Sequence, residues 1–285
     1  RLECSAICAP DLDPCRRIGW PWPQVATGMP LSDIWGSASS DVFAVGLNGV
    51  ILHHDGASWS PMSSGISSSL NGIWGTAADD AYAVGEGGQI LRYNGTAWSS
   101  MTSGVAAHLN DVWGLNSSDI FAVGDGGTIL HFDGADWTAM ASGTTEDLNA
   151  VWVAAPGDVY AVGTSGTILH YSGGTWSPIA SGTTLHLYSV WGTSPTDVLI
   201  GGHNNTLLSY DGVALTPMNS GLPGSYSIRG FWGASPTDVF ACGDNGAITH
   251  WDGRAWTQLE TSGSSELLFS IWGSSSTDVR AVGTG

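Results

Sequence analysis

Residues 70–104 read LNGIWGTAADDAYAVGEGGQILRYNGTAWSSMTSG. Four short strand-like runs lie in this stretch, at 70–74, 81–84, 89–93 and 97–101. The links between them are short and rich in Gly, Asn, Asp and Ser, as hairpins require. Asn94-Gly95, and Asp133-Gly134 one unit later, predict type I′ turns before the last strand. No segment sustains a 3.6-residue period, so essentially no helix is expected.

The unit repeats along the chain, which is the sequence signature of stacked supersecondary structure. Its first tryptophan recurs as Trp35, Trp74, Trp113, Trp152, Trp191, Trp232 and Trp272, and its second as Trp59, Trp98, Trp137, Trp176 and Trp256. The fifth unit has Leu215 instead, which predicts looser outer packing there. One four-stranded sheet of this size cannot bury both faces, whereas sheets stacked around an axis can. The expectation is an all-β chain, a seven-bladed β-propeller of four-stranded antiparallel blades. Units run at about 31–69, 70–108, 109–147, 148–186, 187–227 and 228–267, after an N-terminal arm at 1–13. The seventh would combine 268–285 with 14–30, a two-plus-two ring closure in which Trp22 and Gly19 stand where other units have their outer tryptophan and turn glycine.

The 285 residues include 25 Asp and Glu, seven Arg and no Lys, a formal charge of −18. Such acidity excludes nucleic acid and anionic membranes as partners, because phosphates are held by Lys and Arg. No apolar run reaches the roughly 18 residues of a membrane span. The chain begins Arg1-Leu2-Glu3-Cys4 rather than with Met, which reads as a processed or excised product. Cys4, Cys8 and Cys15 have no metal-knuckle spacing and point to disulfides in an oxidising compartment, secreted or at the cell envelope. Cys242 replaces a valine of the other units and reads as a buried thiol.

The pattern IWG…DVFAVG…GTILHFDG…W resembles repeats of secreted bacterial β-propeller proteins, and its D-G-x-x-W turn is similar to a shortened Asp-box of sialidase-like propellers. Sialidase chemistry would imply three arginines around a carboxylate, yet only Arg229 lies on an inner strand. The resemblance therefore implies a fold rather than an activity.

The chemical candidates mostly read as structural. Asp41, Asp80, Asp119, Asp158, Asp197, Asp238 and Asp278 hold one position in all units and are expected to accept backbone or indole N–H bonds. His53, His131, His170 and His250 share a third-strand position that Arg92 and Ser209 also occupy, which suits hydrogen-bonded rather than metal-ligating histidines. The G-x-x-G pieces lack the lysine and helix of a phosphate loop. Asp125 and Asp244 could bind calcium but supply one carboxylate per loop, a thin ligand set, so neither metal nor cofactor is expected, and no catalytic constellation is found.

Ligands of propellers usually sit over the axis, where these units differ most. After the residue that opens each inner strand come Asn71, Asn110 and Asn149 in three units, then Tyr188, Arg229 and Phe269 in three successive others, with His203 on a neighbouring hairpin. These seven are the candidate ligand-binding residues. Aromatic faces with amides suit sugars, and an Arg between two aromatics suits a protein partner. The expected function is a non-catalytic binding or scaffold module for protein partners. The alternative is a carbohydrate-binding lectin with axial or inter-blade glycan sites.

Overall fold

In the computed structural model, which describes residues 29–259 and 266–284, the repeat forms six four-stranded antiparallel sheets, each in simple sequential order. Their inner strands are Leu31–Ala38, Leu70–Ala77, Leu109–Asn116, Leu148–Ala155, Leu187–Ser194 and Ile228–Ser235. A seventh, two-stranded sheet pairs Leu268–Ser275 with Asp278–Gly283. The expectation of seven four-stranded blades is thus corrected: among the described residues the propeller has six complete blades. The arm at 1–13, with Cys4 and Cys8, lies outside the described residues, as do Cys15 and residues 14–28 of the 14–30 segment assigned to ring closure.

Inner strands pack on their neighbours through the Trp-Gly pair of the repeat. A Cβ on Gly75 would lie 2.6 Å from the Trp35 ring of the preceding blade, and one on Gly114 would lie 2.9 Å from that of Trp74. The same contact joins Trp191 to Gly233 and Trp232 to Gly273. It also joins Trp272 to Gly36, so the two-stranded sheet sits against the first blade and the ring of inner strands is continuous. Glycine lets the indole approach the backbone itself at these positions, whereas the fourth inner strand has Val153 there. Arg280 adds a hydrogen bond of 2.9 Å from Nη2 to the carbonyl of Ser39 in the first blade.

The repeated aspartates take other partners than expected. Asp41, Asp119, Asp158 and Asp238 each accept from the Nε2 atom of a histidine twelve residues on, at 2.6–2.9 Å. Asp80 pairs with Arg92 instead, at 2.9 Å. The hydroxyls of Ser37, Thr76, Thr193 and Ser274 donate to the aspartates of their own blades. Each histidine lies on an aromatic ring of the second strand, as His53 does on Phe43 with centroids 4.4 Å apart. The indole N–H groups do not bond to these aspartates: those of Trp98, Trp137, Trp176 and Trp256 are buried without an acceptor.

Turns obey a second local code. Asn94 accepts N–H bonds from Thr96 and Ala97 on Oδ1, both at 3.0 Å, and Asp55, Asp133, Asp211 and Asp252 repeat this arrangement. Only the following glycine has positive φ, 84° at Gly95, whereas the expected type I′ turn needs positive φ at Asn94 as well. The hairpins between second and third strands hold one 3-10 turn in five of the six four-stranded blades, such as Glu86–Gly88, and none in the fifth blade. Cys242 is buried in the core of the sixth blade, and burial pushes its thiol far above the ordinary range.

Candidate functional site

All seven residues that follow the openings of the inner strands are bulges. Leu70 pairs with Gly85 and Gly72 with Val84, so Asn71 is the extra residue, and the register shifts identically in the other inner strands. A bulge re-aims its side chain out of the ladder. That geometry puts Asn71, Asn110, Asn149, Tyr188, Arg229 and Phe269 at one end of the axis, and it frees them from the constraints of strand packing.

The structure divides these candidates into two groups. The asparagines connect blades: Asn71, Asn110 and Asn149 each donate from Nδ2 to the carbonyl of the residue opening the next inner strand, Leu109, Leu148 and Leu187, at 2.7–2.9 Å. Asn110 also donates to Asp125 at 3.0 Å. Their hydrogen-bonding capacity is used in holding the ring together.

Tyr188, Arg229 and Phe269 instead form a cluster. The Arg229 guanidinium carbon lies 4.9 Å from the Tyr188 ring centroid and 5.7 Å from that of Phe269, distances at which a cation is attracted to a π face. Nε donates to Asp244 at 2.7 Å. Burial works against the Asp244 charge, but bonds from Arg229 and Ser227 outweigh it and hold the carboxyl below its usual range. His203 meets Tyr188 edge-on with centroids 6.5 Å apart, and His186 lies at the same distance on another side. Four of the seven candidates therefore share one half-buried patch, across blades five, six and the two-stranded sheet.

Acidic groups recur on the equivalent loops around the ring. Glu86, Asp125, Glu146, Asp147, Asp244 and Glu266 occupy the loops leading into the inner strands or the adjoining hairpins. Several also bind blade to blade: the carboxylate of Asp147 accepts from Gly126 N–H at 2.8 Å, as the ring of His108 does from Gly87 at 2.9 Å. Among the described residues no group of three or more His, Cys, Asp or Glu gathers as a metal site.

Two axial carboxylates escaped the sequence reading. Asp33 accepts from the backbone N–H of Ile34 and, in the next blade, Ile73, at 2.8 and 2.7 Å. Asp111 does the same for Val112 and Val151, at 2.8 Å each. Desolvation raises Asp33 to about 6 against the bonds from Ser270, Ile73 and Ile34. Desolvation, with repulsion from Asp33, raises Asp111 well above its ordinary value. A signal existed: residues two places after the strand openings run Asp33, Gly72, Asp111, Ala150, Ser189, Gly230 and Ser270. An acid on one blade is followed by a small residue on the next, over which its carboxylate reaches.

No protein-family model matches the chain, and no curated protein matches it in sequence. Solved structures do match in fold. A structure titled YCF48 bound to D1 peptide superposes with a TM-score of 0.72 at 17% identity, covering 92% of this chain and 93% of that one. YCF48 from Cyanidioschyzon merolae gives 0.73 at 18% identity, covering 92% and 95%. The WD40 β-propeller domain of Doa1 gives 0.78 at 11% identity, covering 90% of each chain. At these identities the likeness is one of architecture, and it places this chain among β-propellers.

Proposed function

We propose that this propeller is a non-catalytic binding module whose mouth, at Tyr188, Arg229, Phe269 and His203, takes a segment of a partner protein. The observation that carries the reading is the asymmetric cluster of an ion-paired guanidinium between two aromatic rings. Tyr and Arg in half-buried patches supply most of the energy in protein interfaces. The repeated Asp–His pairs, by contrast, each tie the second strand of a blade to its third and recur from blade to blade, which suits a structural role rather than acid–base chemistry. One similar propeller has been solved with a peptide, which agrees with peptide recognition on this architecture. The compartment suggested by the N-terminal cysteines, secreted or cell-envelope, belongs to the same proposal.

The test is selection of peptides from a random display library on the whole protein, followed by rebinding to Arg229→Ala and Phe269→Ala. Loss of one hot-spot side chain is expected to cost about 2 kcal/mol, near thirtyfold in affinity. Peptides that bind both variants as well as the parent, or a library that yields none, would overturn the assignment. The mouth gives less support to the saccharide alternative, since its only inner-strand cation is already paired and its rim is acidic.

A further inference from the structure

A groove of about 770 Å³ lies between the third and fourth blades, away from the mouth cluster. Its wall on the fourth blade is made by Thr167, Leu169, Trp176 and Pro178, and the loops at 142–144 and 181–184 close its ends. Strand register places Leu169 opposite Pro178 and Tyr171 opposite Trp176, so these side chains share the sheet face turned toward the third blade.

The repeat shows why this groove is open. In the second blade the position of Thr167 is Gln89, whose Nε2 donates across to Ser100 at 3.2 Å, and Ser100 stands where the fourth blade has Pro178. That pair bridges the two strands, and Trp98 beside it is buried. In the third blade Thr128 turns its hydroxyl back to the carbonyl of Asp125, at 2.8 Å. Thr167 makes no such bond, Pro178 is exposed, and Trp176 is more exposed than Trp98, Trp137 or Trp256.

The lining has a definite chemistry. It contains no charged side chain, although the protein carries a formal charge of −18. It combines an indole and a proline ring with a belt of hydroxyls. Thr144 and Thr183 accept backbone N–H bonds from Glu146 and Leu185 on Oγ1, at 3.1 Å each, so each keeps its own hydroxyl hydrogen to donate. Uncharged donors and acceptors around an aromatic edge match a ligand that is itself uncharged, hydroxyl-rich on its rim and C–H-rich on its face.

From this we infer that the groove between the third and fourth blades is a binding site for a neutral saccharide, with Trp176 and Pro178 as the apolar wall and Thr167 as a hydrogen-bonding group. A charged glycan would meet no counter-charge there. The site is independent of the mouth, so either assignment can fail without the other.

The experiment is a glycan array of neutral hexose, N-acetylhexosamine and fucose structures, with sialylated and sulfated glycans alongside, probed with the full chain. Three variants follow. Thr167→Val removes one hydrogen bond and is expected to weaken the best neutral glycan about fivefold. Thr167→Gln with Pro178→Ser transplants the second blade's filling into the fourth and is expected to abolish binding with the melting temperature kept, since the repeat already tolerates that pair. Arg229→Ala is expected to bind glycan as the parent does. An array blank for neutral glycans, binding that survives the Gln/Ser transplant, or loss of binding in Arg229→Ala would each overturn the site.

Discussion

Asp33 and Asp111 show how a single residue can carry a cost that its blade needs. The bulge in each inner strand leaves backbone N–H groups without ladder partners, and each carboxylate satisfies two of them, one at home and one on the following blade. Desolvation opposes the charge, and the folded protein prefers these acids protonated. The sign follows from linkage. A carboxyl raised to about 6 when folded, against 3.8 as its ordinary value, contributes stability that is fully present below 3.8 and lost as the pH rises through about 6. The melting temperature should therefore climb as the pH is lowered from 7 toward 4.5. In an Asp33→Asn, Asp111→Asn double variant that climb should shrink. The turn aspartates Asp55, Asp133 and Asp252 are held below their usual value by backbone N–H bonds, so their contribution is lost only at more acid pH. Thermal scans at half-unit pH intervals check this; an unchanged slope in the double variant would refute it.

At the level of the element, the inner strand is defined by contacts that one repeat cannot show. Trp74 finds Gly114 forty residues later, and Asn71 finds Leu109 thirty-eight residues later, each in the next blade. The W-G dipeptide was visible as a pattern, but its reason was not, because the partner is the same motif in another copy. The bulge explains the rest of the strand opening: it frees position 71 and its equivalents to vary, so comparison between units set the asparagines apart from Tyr188, Arg229 and Phe269 but did not show that the asparagines staple one blade to the next. Gly114→Ala tests the element directly. The added methyl would meet the Trp74 ring at 2.9 Å and the Asp119 carbonyl at 2.7 Å, so the blades must part slightly. Overpacking of this kind costs roughly 1–3 kcal/mol, and chemical denaturation should show the midpoint falling with little change in slope. Gly104, where no atom lies within 4 Å of an added Cβ, has φ of 76°, so alanine there probes backbone strain alone.

For the whole molecule, the sequence was legible wherever information repeats at fixed spacing: the strands, the order of the sheets and the ring. It was less legible where one end of the chain must be matched with the other, and the blade count went wrong there. Pairings within a blade were also missed, since the aspartates and histidines were read as two separate series although twelve residues divide each pair. The overall charge sets one further expectation. Among the described residues all seven ion pairs join an Asp to His or Arg, and four of them depend on a protonated histidine. With 25 acidic residues against seven arginines in the whole chain, repulsion between like charges outweighs attraction. Salt screens such repulsion over about 10 Å at 0.1 M, whereas the close pairs, at least half-buried, are screened much less. Raising sodium chloride from about 20 mM to 300 mM, on either side of that Debye scale, should thus raise the melting temperature at pH 8. A temperature that stays flat or falls would mean that the ion pairs, not the net charge, dominate the electrostatics of the ring.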